Sequence, residues 1–173
     1  MQAVPAKWIL PEQTLPPDMG CAAGEVPPIL LHLLEQRGIR EQDEVERFLN
    51  PRLRDLSDPF LIPEMEQGVD RVFEAVDRGE HICIFGDYDV DGITSIALTR
   101  RILEAYGAKP RHFVPIRSSE GYGLTGAALE RCMSEGPKPD LLLTVDCGTA
   151  SCDDIARLRA DGIDVVVIDH HEP

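Results

Sequence analysis

The sequence predicts an α/β fold, a parallel sheet flanked by helices with a small helical lead-in. Three observations predict it. Four short apolar runs of strand length, His81 to Phe85, His112 to Ile116, Asp140 to Val145 and Asp164 to Ile168, alternate with segments of helical periodicity. Each of the intervening segments, Gly92 to Tyr106, Thr125 to Ser134 and Ser151 to Ala160, is long enough to return the chain for a parallel strand. Finally, acidic and imidazole side chains cluster directly after three of the four runs, where an open parallel sheet binds its ligands.

The elements before the sheet are helical. Prolines crowd residues 1 to 28 and forbid long regular structure, so an extended arm is expected there. From Pro28, Ile29, Leu30, Leu33 and Leu34 fall at helical spacing until Gly38, and Val45, Phe48 and Leu49 mark a second helix ending at Asn50-Pro51. A third helix from about Pro63 aligns Met65, Val69, Val72, Phe73 and Val76 and stops at Gly79. We divide the chain at that point into an arm and helical lead-in, residues 1–79, and an α/β domain, residues 80–173.

Bulk properties narrow the function. At 173 residues and 43% hydrophobic content the chain can bury one substantial core. No apolar run reaches membrane-spanning length and the first residues lack a signal-peptide pattern, so a cytoplasmic protein is expected. The five cysteines, Cys21, Cys83, Cys132, Cys147 and Cys152, form no C-x-x-C pair and read as reduced, mostly buried residues. A formal charge of −14 argues against a broad non-specific nucleic-acid surface, because affinity for a phosphate backbone comes from lysine and arginine.

The chemistry lies at the carboxyl ends of the strands. The first runs into Gly86-Asp87-Tyr88-Asp89-Val90-Asp91-Gly92, the third into Asp146-Cys147-Gly148 and the fourth into Asp169-His170-His171. Carboxylates converging with imidazoles at one sheet edge repel one another unless cations neutralise them, which points to divalent metal. Mixed aspartate and histidine donors suit Mn²⁺, with Mg²⁺ as a possible substitute. The run from Asp87 also matches the start of a calcium hand, but position 12 is Leu98 instead of a bidentate glutamate, and a strand precedes it. No glycine-rich phosphate cradle follows the first strand, which disfavours a nucleotide cofactor. Helix capping accounts for one of Asp89 and Asp91 but not for three aspartates. After the second strand, Arg117 is a natural phosphate contact and Tyr122 a stacking or hydrogen-bonding partner, although a plain mobile loop explains the neighbouring Gly121 and Gly123 equally well.

The order Asp87-Tyr-Asp-Val-Asp-Gly92, Arg117 with Glu120-Gly-Tyr-Gly-Leu124, Thr144-Val-Asp-Cys-Gly148 and Asp169-His-His171 resembles the motifs of the RecJ exonucleases in the DHH phosphoesterase superfamily. The lead-in, with Leu33-Leu-Glu-Gln-Arg-Gly-Ile39 and Phe48-Leu-Asn-Pro51, is similar to that family's N-terminal region. The resemblance implies a metal-dependent exonuclease that degrades single-stranded DNA from the 5′ end in recombination and repair, using two ions. It implies Asp89, Asp91, Asp146 and His170 as metal ligands, His171 as the group facing the scissile phosphate, Asp87 as a supporting catalytic residue, and Asp169 as the residue orienting a histidine. Val90 replaces the family's usual alanine and Glu172 its usual apolar residue, neither of which removes a ligand. The family continues beyond the paired histidines with a further aspartate ligand and a domain that grips DNA, so the chain is expected to be an N-terminal fragment with little activity alone. A related phosphoesterase acting on short oligonucleotides or cyclic dinucleotides, and a non-catalytic fragment, are the competing readings.

Overall fold

The computed structural model describes residues 26–171, so the expected extended arm lies outside the described residues except at its end. The described chain forms two compact units, divided between Asp58 and Pro59. In the first, α1 (Pro28–Gln36) and α2 (Gln42–Leu49) bury Leu31, Leu34 and Val45 in a small cluster edged by Val26 and Ile39. Proline at the first turn of α1 wastes no hydrogen bond, since that amide has no partner within a helix. The Glu44 carboxylate accepts from the Glu41 amide at the start of α2.

The second unit is the α/β body. It comprises α3 (Met65–Arg78), β1 (Ile82–Gly86), α4 (Val90–Ala105), β2 (Arg111–Phe113), α5 (Arg117–Glu120), α6 (Gly126–Ser134), β3 (Leu141–Val145), α7 (Cys152–Ala160) and β4 (Asp164–Ile168). All strand pairs are parallel, in the order β2-β1-β3-β4. The central strands β1 and β3 are buried along their whole length, as a sheet covered on both faces requires.

Alternation along the strands sends side chains to opposite faces. Cys83 and Phe85 of β1 and Leu142 of β3 pack with Ala128, Leu129 and Cys132 of α6 and Leu158 of α7. Ile82, Ile84, Leu141, Leu143 and Val145 pack instead with Ala75 of α3 and Ile96 and Leu103 of α4. By these contacts α3 goes with the sheet, whereas the sequence division at residue 79 groups it with the lead-in. Arg71 of α3 reinforces that packing, donating to Glu80 and to Asp164 of β4, each at 2.7 Å.

The sheet order creates the feature that matters for function. From β1 the chain moves outward to β2, then crosses back to β3 and on to β4. The reversal falls between β1 and β3, and the loops leaving their carboxyl ends diverge there to opposite faces. That crevice lies beside Asp87–Asp91 and Asp146.

Two expectations need adjustment. The second strand is shorter than His112 to Ile116, because the Val114 carbonyl accepts from Arg131 Nη2 at 2.8 Å instead of continuing the ladder. The segment expected to be a plain loop after it contains a helical turn, α5. Glu120 closes that turn by accepting from the Ile116 amide and is held in turn by Arg131.

Candidate metal centre

The loop from β1 to α4 is shaped by two glycines. A Cβ on Gly86 would come within 2.5 Å of Ile96 Cγ1. One on Gly92 would come within 2.4 Å of the Asp87 carbonyl oxygen. Only glycine lets the first turn of α4 fold directly over the strand end, and Asp89 then caps the helix by accepting from the Gly92 amide at 3.0 Å. The expected helix cap is therefore present, and it uses one aspartate of the three. That bond holds the Asp89 carboxyl below its ordinary pKa despite some opposing desolvation.

Asp87 points inward and is only 2% exposed, with Oδ1 lacking any hydrogen-bond partner. Burial pushes its pKa up, and the neighbouring Asp89 charge adds to the rise. Across the crevice, Asp146 leaves β3 with φ +61°, a left-handed conformation that aspartate tolerates better than most residues. Its Oδ1 lies 3.1 Å from His170 Nε2, while its buried Oδ2 has no partner. Desolvation, followed by repulsion from Asp89, raises the Asp146 pKa.

The third component follows β4. Asp169 Oδ1 accepts from the amides of His170 and His171 at 2.8 and 3.1 Å, and its Oδ2 accepts from the Thr149 amide at 3.0 Å. Burial opposes its ionisation, but the Thr149 amide and the His171 side chain and amide hold its pKa far below the usual carboxylate range. The same Oδ1 is 2.8 Å from His171 Nδ1. That bond leads the causes that raise the His171 pKa. Tyr122 also contacts His171 Nδ1 at 3.1 Å and donates to the Asp146 carbonyl at 3.3 Å. Burial, then the surrounding carboxylates, push the Tyr122 phenol up to about 12, so it remains a donor.

Two overlapping donor sets result. Asp87, Asp89 and Asp146 can bring one oxygen each within 4.8 Å of one another, and Asp146, His170 and His171 can do the same with their donor atoms. Asp146 belongs to both. The unpartnered carboxylate oxygens on Asp87 and Asp146 lie in this crevice, and a divalent cation is the natural partner for buried oxygens that no N–H or O–H satisfies. The donor chemistry therefore fits such an ion.

Of the expected site residues, Asp87, Asp89, Asp146, His170, His171 and Tyr122 come together. Asp91 is exposed in the first turn of α4, outside both sets, but close enough for its charge to raise the Asp146 pKa. Arg117 lies with its guanidinium carbon 5.2 Å from the centre of the Tyr88 ring, a contact not expected from sequence. As adjacent residues, His170 and His171 would point to opposite sides of an extended strand. Instead their ring centres lie 4.6 Å apart, because Asp169 gathers both backbone amides into a tight turn where the strand pattern no longer applies. The Glu120–Arg131 pair supporting the Tyr122 segment had no local sequence signal, since its members are eleven residues apart and on different elements.

An α/β body with two donor sets sharing an aspartate at its topological switch point defines a domain equipped for divalent cations. The model of the DHH family, N-terminal domain, matches residues 81–173, and the chain belongs to that family. The single-stranded-DNA-specific exonuclease RecJ of Bacillus subtilis is 34% identical over 148 residues, covering 86% of this chain and 19% of that protein. Its counterpart from Dickeya dadantii is 37% identical over 149 residues, covering 86% of this chain and 25% of that protein. The crystal structure of Thermus thermophilus RecJ in complex with Mn²⁺ aligns with a TM-score of 0.59 at 32% identity, covering 88% of this chain and 20% of that one. The chain thus spans a fifth to a quarter of the length of these curated relatives. Among the described residues no helix is long and apolar enough to cross a membrane.

Proposed function

We propose that this chain carries the metal centre of a cytoplasmic single-stranded-DNA exonuclease that works 5′ to 3′ in recombination and repair by a two-metal mechanism. The observation that carries the reading is that Asp146 belongs to a carboxylate set with Asp87 and Asp89 and also meets His170 Nε2 at 3.1 Å. Similarity to RecJ exonucleases over most of the chain supports the choice of substrate. The RecJ structure with Mn²⁺ supports the choice of metal, with Mg²⁺ as an alternative.

Asp89, Asp146 and His170 would hold the cations, with Asp87 Oδ1 a further available oxygen and Asp91 supplying negative charge beside them. When bound, the cations supply Lewis acidity toward the phosphodiester and lower the pKa of water. The protein's own groups then position and move protons. If His171 Nδ1–H donates to Asp169, the phenol of Tyr122 is free to donate to the Asp146 carbonyl and Nε2 is the ring nitrogen left for the substrate. A proton held at that Nε2 is available to the oxygen leaving the scissile phosphate. Asp169 fixes the ring and favours its protonated form, so His171 acts as the general acid and Tyr122 as its brace. Arg117 contacts a substrate phosphate from beside Tyr88.

The two histidines separate in a direct test. His170→Ala is expected to weaken Mn²⁺ binding by more than about tenfold, measured by calorimetry on the chain. His171→Ala is expected to leave that affinity nearly unchanged. In the protein as encoded, it should slow release of nucleotides from 5′-labelled single-stranded DNA by about 100-fold or more. The reverse pattern would refute the division of roles, and cleavage confined to dinucleotides or cyclic dinucleotides would replace the substrate.

A further inference from the structure

Two thiols outside the metal centre face each other across the opposite layer of the fold. Cys83 lies mid-strand in β1 and Cys132 near the end of α6, both fully buried, with their sulfurs 3.7 Å apart. Neither is paired as a disulfide. Beside them, Arg111 of β2 extends toward Cys132, its Nη1 3.7 Å from the sulfur. Its buried Nη2 has no hydrogen-bond partner. Gly136, just beyond α6, makes room for this arrangement, because a Cβ there would sit 3.3 Å from Arg111 Cδ.

An ordinary apolar core does not explain a guanidinium directed at a buried thiol. A cation beside sulfur favours thiolate, the form that reacts with oxidants. From the juxtaposition of Cys83, Cys132 and Arg111 we propose that this pair is an oxidisable dithiol. Cys132 is attacked first by hydrogen peroxide or an organic hydroperoxide, and Cys83 resolves it to a disulfide linking β1 to α6. The direction of the acid–base chemistry agrees. The hydrogen bond between the two sulfurs, opposed by burial and aided by Arg111, lowers the Cys132 pKa, while the Cys83 pKa is raised.

The chemistry balances in two steps. The Cys132 thiolate attacks one peroxide oxygen, the O–O bond breaks, and the departing hydroxide takes up a proton to leave as water, giving sulfenic acid. The Cys83 sulfur then attacks the Cys132 sulfur, forming S–S and expelling a second water with the Cys83 proton. Two thiols lose two electrons and two protons, and one hydrogen peroxide becomes two waters. The sulfurs must close from 3.7 Å to about 2.05 Å. Because both are buried, oxidant enters during local opening of the α6 end beside the short edge strand β2. The bond would tie α6, which follows directly after the Tyr122 segment, to the strand that leads into Asp87.

The test uses the chain with Cys21→Ser and Cys152→Ser, which leaves Cys83, Cys132 and the buried Cys147. It is exposed to hydrogen peroxide under native conditions, unfolded, alkylated and digested for mass spectrometry. The expected result is a Cys83–Cys132 cross-linked peptide, two fewer alkylated thiols, and full reversal by a dithiol reductant. Arg111→Met should slow appearance of the cross-link by about tenfold, at a stability checked separately by thermal denaturation. Cys83→Ser should trap the Cys132 sulfenic acid, detected with a dimedone-type probe. Persistence of both free thiols, cross-linking instead to Cys147, or an unchanged rate in a stably folded Arg111→Met protein would each overturn the proposal.

Discussion

Asp146→Asn is expected to weaken Mn²⁺ binding by about 100-fold or more while leaving the sheet intact, because no other side chain belongs to both donor sets. Asparagine suits this position unusually well as a probe. It tolerates the left-handed backbone at φ +61° and can still meet His170, so the loss is confined to charge and to donor strength. Alanine there would add backbone strain and confuse the two effects. The apo protein should respond in the opposite direction. Burial raises the folded-state pKa of Asp146 above its unfolded value, so its favourable contribution is present below the ordinary carboxylate pKa and is lost as pH rises through the folded value. Near neutrality the wild-type apo domain carries the cost of a buried, repelled carboxylate, and Asp146→Asn should melt at an equal or higher temperature. That advantage should disappear under acid conditions, where Asp146 is protonated in both states. Metal affinity should fall with pH for the same reason, since protons compete for Asp87 and Asp146 at higher pH than for ordinary carboxylates. Calorimetry with Mn²⁺ and melting curves across pH check both halves. A dissociation constant within about threefold of wild type, outside the range expected for losing a donor, would remove Asp146 from the centre.

The strong elements were legible because their signals are local. The apolar runs that became β1, β3 and β4 lie within a residue of their observed bounds, and the acids following them sit at the carboxyl edge as parallel topology requires. Strand order was not legible, since periodicity does not say which strand neighbours which. Yet the β2-β1-β3-β4 order is what brings Asp87 and Asp146 to the same crevice. The fate of the Arg117–Gly123 segment also depended on a distant residue. Arg131 binds Glu120 and the Val114 carbonyl, ending β2 and firming α5, and nothing near Glu120 in sequence announces that partner. Strand alternation would send His170 and His171 to opposite sides, but Asp169 accepts from both backbone amides and overrides it. Local hydrogen bonding by a short acidic side chain commonly displaces regular backbone geometry at a strand end. Gly92 carried a different kind of hidden information, because in sequence it reads as a turn glycine and in space it is a contact surface.

Gly92→Ala is expected to destabilise the domain by about 3 kcal/mol or more and to impair metal binding in the fraction that remains folded. The added methyl would lie 2.4 Å from the Asp87 carbonyl oxygen and 2.6 Å from both the carbonyl carbon and the amide nitrogen of that residue. These are backbone atoms, so no rotamer change can relieve the overlap. Relief by moving α4 away would carry its capping residue Asp89 with it, away from Asp146, and relief by moving Asp87 would disturb the end of β1. Either shift displaces a carboxylate of the first donor set, which couples the stability loss to weaker Mn²⁺ binding. Gly126→Ala provides the control. It lies at the start of α6 with nothing within 4 Å of an added Cβ, so the change should be neutral or stabilising by about 0.4–1 kcal/mol through the unfolded state. Urea denaturation of the two variants, each with and without Mn²⁺, separates packing from metal linkage. If Gly92→Ala unfolded within about 0.5 kcal/mol of wild type, as an unconstrained surface change would, the close approach of α4 to Asp87 would not be what holds the carboxylates in place.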